Sequence, residues 1–364
     1  MLPIKPSNII CTRSKSRIIL AGIIALNCLC ASVVRANLVI VPTFDSTITS
    51  DPNAATIEAT INQVIAVYRA SFSDSVTVNI TFQEMTSGLG MSSYYLSSLS
   101  YSTYRAKLVA GATTANDALA LAHSPATSTN PVNGGSSMDL TLPNGRALGL
   151  SGWNSASDGT ISLNTSIMNL SRSSINGSKY DLYAVTAHEI DEVLGMDSSL
   201  DGSANGAAAP TGNIMVMDLF RYDQNGNRSF NTIQADQAWF SLDGRNLLVR
   251  YNQTAGGDFH DWYSPTGTPR VQDAYSVAGH TPDLTVELIA LDVIGYHLII
   301  PAVGMARLGA GKATISWGPA NPGFALQETT NLLANNWVNC ASGTNNPVTV
   351  TNTSVPIFYR IYHP

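Results

Sequence analysis

The apolar positions of this chain change period several times, and each period implies an element. Ile57, Ile61, Val64, Ile65, Tyr68 and Phe72 recur at three- and four-residue steps, the spacing that gathers apolar side chains on one helix face. Val76, Val78, Ile80 and Phe82 then alternate with other residues, as in a half-buried strand. Leu38-Val39-Ile40-Val41 reads as an earlier strand. Strand, helix, strand in that order suggests a βαβ start to an α/β or α+β domain. Residues 94–110, rich in Tyr, Ser and Leu, fit neither period cleanly and read as helical in part. Residues 123–137, rich in Pro, Ser and Asn, read as a surface loop.

Asp158-Gly159-Thr160 marks a turn, and Ile161-Ser162-Leu163-Asn164 after it reads as a short strand. Ser178-Lys179-Tyr180-Asp181 has the form of a capping box with Asp in the role of Glu. It is expected to open a helix with Tyr183, Ala187, Ile190 and Leu194 as its apolar stripe and Gly195 as its stop. Residues 197–213, rich in Gly, Ala and Ser, read as a loop. A last helix is expected from about Asp283, through Leu284, Leu288 and Leu291, to Gly295. After His297 the pattern changes. Residues 313–317 and 348–350 alternate like strands, and Trp337 and Phe358 are the expected core anchors there. The chain thus divides into a leader at 1–36, an α+β domain at 37–298 and a small β-sandwich-like module at 304–364, with no internal repeat.

The leader changes the picture of where the protein works. Lys5, Arg13, Lys15 and Arg17 precede an almost wholly apolar run at 18–34, and Val34-Arg35-Ala36 offers small or short residues at the cleavage positions. That is the three-part pattern of a secretory signal peptide. The run is shorter than the ~20 residues that cross a bilayer, and Asn27 interrupts it. The expected protein is secreted or periplasmic, with no membrane attachment after cleavage. The whole chain has 19 basic and 25 acidic residues. Five basic residues and no acidic one lie in the leader, which leaves 14 against 25, a net charge of −11. A nucleic-acid partner needs clustered Lys and Arg, so none is expected. Cys340 is the single cysteine outside the leader, which excludes an intramolecular disulfide and a Cys-rich metal site.

The candidate chemistry sits on the helix that Gly195 ends. His188 and Glu192 are four residues apart, so their side chains leave one face about a turn apart. That is the arrangement of the first two metal ligands in a His-Glu-x-x-His helix. Here Glu192 stands where the second His is usual. Zinc accepts carboxylate oxygen as well as imidazole nitrogen, although the added oxygen lets harder divalent ions compete. Glu189 is placed to hold a water and act as its base. Acidic residues at helix spacing are also common on solvated faces, so the pattern alone is a moderate signal.

The run Ala187-His188-Glu189-Ile190-Asp191-Glu192-Val193-Leu194-Gly195 resembles the active-site helix of metzincin-like secreted bacterial metalloproteases. The segments 218–222, 256–262 and 291–296 resemble those that follow that helix in one such group. The resemblance covers 150–297 well and 37–149 loosely; the C-terminal module resembles small β domains appended to secreted bacterial proteins. It implies a zincin-like fold, with a mixed sheet, a long N-terminal helix and an active-site helix. It implies a peptide or protein substrate, a Zn2+ cofactor (or another divalent ion) and a monomer. It implies Asp201 as third ligand after His188 and Glu192, since the third His of the pattern falls at Ser198; Asp197, Asp218 and His260 are rivals. The Met215-Val216-Met217 stretch resembles the Met-containing turn beneath the metal, and Tyr222 is then an oxyanion donor. Residues 161–164 become the edge strand on which a peptide lies.

Other patterns have plainer readings. Asp223, Asn225 and Asn227 fit a calcium loop but better an ordinary Asn-Gly turn. Asp258 and Asp261, near Trp262, read as loop-fixing residues. His123, His280, His297 and His363 have no partner pattern. No Gly-x-Ser-x-Gly elbow is present. Two functions follow: a secreted metal-dependent endopeptidase with Glu189 as base, or a catalytically inactive zincin-fold binding or surface protein.

Overall fold

The computed structural model describes residues 37–201, 203, 212–264, 267–309, 311–318, 325–332, 336–343, 345–351 and 356–362. The expected leader, most of the loop after Asp201, and His363 lie outside them. The architecture is mixed α+β, with several small sheets and seven α-helices among the described residues. No helix among those residues is long and apolar enough to cross a membrane.

The N-terminal pattern folds as its periods require. Strand β1 (Val39–Phe44) runs through the short helix α1 (Ser46–Thr49) and the long helix α2 (Ala54–Ser71) to β2 (Thr77–Glu84). β1 and β2 pair in parallel. The stripe Ile57, Ile61, Val64 and Tyr68 is fully buried beneath them. A strand the sequence pattern does not signal, β3 (Gly90–Tyr94), comes next, and the ambiguous stretch after it resolves into β4 (Leu96–Ser100) and α3 (Tyr101–Gly111), followed by α4 (Ala115–Ala122), β5 (Ser137–Thr141), α5 (Leu142–Ala147) and β6 (Gly159–Leu163). The main sheet has the order β1-β2-β6-β3. β6 therefore lies inside it, parallel to β2 and antiparallel to β3. The expectation that residues 161–164 form the edge is corrected: the edge is β3, because the chain returns from β2 to pair on the outer side of β6.

Between β6 and the next helix lie the two-residue strands β7 (Met168–Asn169) and β8 (Tyr180–Asp181). Helix α6 (Leu182–Leu194) then crosses the core, packed on α2, β3 and β6. Its start departs from the expected capping box. Asp181 makes no capping hydrogen bond; its Oδ2 is turned instead to Arg172 at 2.6 Å, and its Oδ1 is buried without a partner. Gly195 ends α6 with φ of 123°, a backbone region that favours glycine.

The short strands β9 (Arg221–Tyr222), β10 (Trp239–Phe240) and β11 (Val249–Arg250) form a small antiparallel sheet. Helix α7 (Val286–Ile294) begins three residues later than its apolar pattern suggests, because Asp283 is drawn to Arg172 and Glu287 receives the backbone N–H of Thr285. These elements from Leu38 to Tyr296 share one hydrophobic cluster. The C-terminal residues form two three-stranded sheets. One joins β12 (Ala302–Gly309), β13 (Lys312–Gly318) and β16 (Val348–Thr351); the other joins β14 (Ala325–Thr329), β15 (Val338–Asn339) and β17 (Phe358–Tyr362). Their own cluster is Ile315, Trp317 and Leu326. The expected anchors are corrected: Phe358 is 38% exposed, and Trp337 lies half-buried under the Arg360 guanidinium.

Candidate functional site

Helix α6 and strand β3 build one wall of a cavity of about 780 Å³. Their periods explain how. Residues 90, 92 and 94 share one face of β3, and that face meets α6 and the chain beyond it. A Cβ at Gly90 would stand 2.2 Å from Oε1 of Glu189; only the bare backbone lets strand and carboxylate come so close. The Ser92 hydroxyl donates to Oε2 of Glu192 at 2.5 Å. The Tyr94 hydroxyl donates to Asp197.

The opposite wall is the segment around 258–261. His260 turns Nε2 toward α6, 3.1 Å from Oε1 of Glu192. His188 Nε2 lies 3.3 Å from the same oxygen. Asp261 Oδ1 lies 3.4 Å from His188 Nε2 and 3.3 Å from His260 Nε2. Two nitrogens and two oxygens from two parts of the chain thus converge on one point. The segment is held by buried polar contacts. Phe259 offers its carbonyl to Arg221 at 2.7 Å, Gln272 donates to Asp261 at 2.9 Å, and the Trp262 indole donates to Glu287 at the start of α7.

The outer nitrogens of both imidazoles are also fixed. His188 Nδ1 lies 3.0 Å from the Val271 carbonyl. His260 Nδ1 lies 2.6 Å from Asp201 Oδ2, and Asp201 also accepts the Phe259 N–H. Asp201, expected beside His188 and Glu192, therefore stands behind His260, on the far side of its ring. Of the three rivals, His260 is the one that faces His188 and Glu192. Asp218 accepts from Ser198, Ser199 and the Met215 N–H and so ties the start of the Asp201 loop to Met215. Asp197 lies 3.7 Å from His260 Nδ1. Tyr222 does not line the cavity; it pairs with Trp239 in the small sheet and lies under Arg228. That corrects its expected oxyanion role: the short strand carries the ring to another part of the molecule.

The electrostatics follow from burial and crowding. Burial alone would push both imidazoles toward neutrality, but Asp261 and Glu192 around His188, and Asp201 and Asp261 around His260, raise both well above the ordinary range. Burial would raise Glu192, yet the two imidazoles hold it lower. Burial and then the charge of Glu192 push Glu189 well up. Burial moves Asp197 up to about 8, with Asp201 adding to the shift. A proton and a metal cation compete for the same imidazole Nε2 atoms.

Two groups of side chains could hold a cation, His188, Glu192 and Asp261 in one and Asp197, Asp201 and His260 in the other. Ligands ~2.0–2.1 Å from a tetrahedral zinc stand about 3.3–3.4 Å apart, and the four nitrogen–oxygen spacings here, 3.1–3.4 Å, are compatible with a shared cation. Orientation of each imidazole by a carbonyl or carboxylate is the usual support for such ligands. Glu189 Oε2, buried beside the cluster, has no hydrogen-bond partner.

The sequence marks His260 only as a rival ligand and Asp261 as a loop residue. A His-Asp pair seventy residues from a helix motif carries no spacing signal; only the fold joins them. The remaining patterns are simpler. Asp223 turns Oδ1 onto the N–H groups of Asn225 and Asn227, an ordinary turn. His297 pairs with Asp74 at 2.7 Å. No protein-family model matches the chain, and no curated protein or solved structure shows significant similarity to it.

Proposed function

We propose that this protein is a secreted metal-dependent endopeptidase of zincin type, with a small β-sandwich-like module at its C-terminus. The observation that carries the reading is the convergence of His188, Glu192, His260 and Asp261 at 3.1–3.4 Å beside the unpartnered oxygen of Glu189. His188, Glu192 and His260 would hold the cation, Zn2+ by its preference for mixed nitrogen and oxygen donors, with Asp261 adjoining them. A bound cation supplies Lewis acidity toward a carbonyl and lowers the pKa of a water.

This chain's residues do the rest. The outer strand β3 presents free backbone groups to an extended peptide, which adds to the sheet as one more strand. Burial and the charge of Glu192 hold the Glu189 carboxyl up, and a cation held beside it would offset both; so ionised, with one oxygen against Gly90 and the other unpaired, Glu189 would accept a proton from the attacking water and deliver it to the leaving amine. Asp201 and the Val271 carbonyl keep the imidazoles turned to the cluster, and Ser92 does the same for Glu192.

A second reading has its own support. Four protein donors around one point are the mark of a closed, structural metal site, so Asp261 favours an inactive binding protein on the same fold. Elemental analysis and peptide cleavage separate the two. The peptidase reading expects about one zinc per chain, cleavage of unfolded protein, and a Glu189→Gln variant that keeps metal and loses cleavage. Stoichiometric metal without cleavage of any peptide library would establish the closed site. A protein that takes up no metal when zinc, manganese or cobalt is offered would end both metal readings.

A further inference from the structure

The cavity is lined by seven carboxylates and two imidazoles, with no lysine or arginine among its described lining residues. Five of the seven are engaged: Glu192 and Asp261 in the cluster, Glu189 beside it, Asp201 behind His260, and Asp197 under Tyr94. A divalent cation neutralises two negative charges, so the cleft stays anionic with its metal in place. Asp258 and Asp273 are left over. Asp273 is only 5% exposed. Its Oδ2 accepts the Arg270 N–H, while its Oδ1 is buried without a hydrogen-bond partner. The Asp258 carboxylate has no hydrogen bond or ion pair among the described residues; it reaches the same cavity.

The two carboxylates line the same cavity. A Cβ at Gly257 would stand 3.2 Å from the Ala274 methyl and 3.4 Å from the Tyr275 ring. The chain at 257 and the chain at 274–275 therefore touch, and Asp258 and Asp273 each adjoin that contact. Beside them lies the half-exposed ring of Tyr275, held by its hydroxyl to the Ala255 carbonyl. A buried acceptor without a donor is costly to keep, and a native structure that keeps one calls for a reason. An ammonium brings three donors and a guanidinium five, and the methylene stem of either packs on an aromatic ring while its head stays polar.

We propose that the cleft selects peptides carrying a lysine or arginine side chain next to the bond presented to Glu189, with Asp258 and Asp273 receiving the cationic head and Tyr275 its stem. The inference rests on the peptidase reading for the choice of a peptide, but its test reads binding. A positional-scanning peptide library in which one position carries lysine, arginine, norleucine or glutamate is incubated with zinc-supplemented Glu189→Gln protein, and retained peptides are quantified by mass spectrometry. Lysine and arginine should be enriched about tenfold over norleucine at one position, the effect of a single partly desolvated charge pair, and glutamate should be depleted. The preference should collapse in Asp258→Asn/Asp273→Asn protein and weaken with salt. Because Asp273 is buried, Asp258→Lys serves as the variant that leaves the core untouched; it should turn the preference toward glutamate. Equal retention of lysine and norleucine peptides, retention of none, or a preference unchanged in both variants would overturn the proposal. Cleavage by the wild-type protein is scored separately. Bound cationic peptides that are never cut sink the peptidase reading and leave this one standing, whereas cleavage without a basic preference does the reverse.

Discussion

Single atoms decide the site. Gly90 is needed where β3 meets Glu189, because any side chain would stand 2.2 Å from the carboxylate. Gly90→Ala should move that carboxylate while leaving strand pairing intact. A displacement of ~1 Å at a catalytic group costs about a hundredfold in rate, so under the proposed peptidase reading cleavage should fall by that order while the circular-dichroism spectrum stays unchanged. His260 and Asp201 act in series. His260→Ala should abolish stoichiometric metal. Asp201→Asn should retain it with affinity reduced roughly 10- to 100-fold, the usual effect of losing an orienting partner, as read by competition with a chromogenic chelator. If the two variants bound metal equally well, neither residue would belong to the centre.

At the scale of elements, α6 is held by a buried polar link to α2. The Tyr68 hydroxyl lies 2.8 Å from the Ala187 carbonyl and 2.7 Å from Asp191 Oδ1. The phenolic proton is shared between these two acceptors. Burial, then the charge of Glu287, pushes the Asp191 carboxyl well above its ordinary range, and the Tyr68 hydroxyl works against that shift. Tyr68→Phe leaves two buried groups without their partner and should destabilise the protein by about 1–3 kcal/mol in urea unfolding. A variant as stable as the wild type would mean that packing alone joins the two helices. The same helix shows how a polar residue is read differently in sequence and in space: Asp181 looks like the acidic partner of a capping box opened by Ser178, yet the Arg172 guanidinium from another loop claims it.

Across the whole molecule, the start and end of the α+β part are tied by His297 and Asp74, which pair at 2.7 Å just beyond α7 and α2. The Asp74 hydrogen bond raises the His297 pKa despite some burial. A raised histidine binds its proton more tightly folded than unfolded, so its contribution is full below the unfolded value of about 6.5 and is lost as pH rises through the higher folded value. The stability difference between wild type and His297→Gln should therefore shrink from pH 6 toward pH 9; a difference that grew over that window would contradict the pairing. The hydrophobic cluster from Leu38 to Tyr296 and that of Ile315, Trp317 and Leu326 are separate. A chain ending after Ile300 should keep its metal content and unfold cooperatively, as scanning calorimetry would record.

Local periodicity was enough for much of this protein. The stripe of α2, the alternation of β2, the Gly195 stop and the pairing of His188 with Glu192 on one helix face all depend on neighbours within a few residues, where backbone geometry dictates which side chains meet. The fold decided what periodicity cannot encode. β3 became the sheet edge because of the order in which strands pair, not because of its composition. His260 and Asp261 came to His188 and Glu192 because Arg221, Gln272 and Glu287 pin a distant loop against α6. Asp201 went behind the imidazole because Nε2 of His260 already faced Glu192, leaving Nδ1 to be satisfied. The sequence by itself determined the helix that carries half of the candidate metal donors. Only the tertiary structure chose the other half, since a site assembled across nearly seventy residues is set by long-range packing and by the need of every buried polar group for a partner.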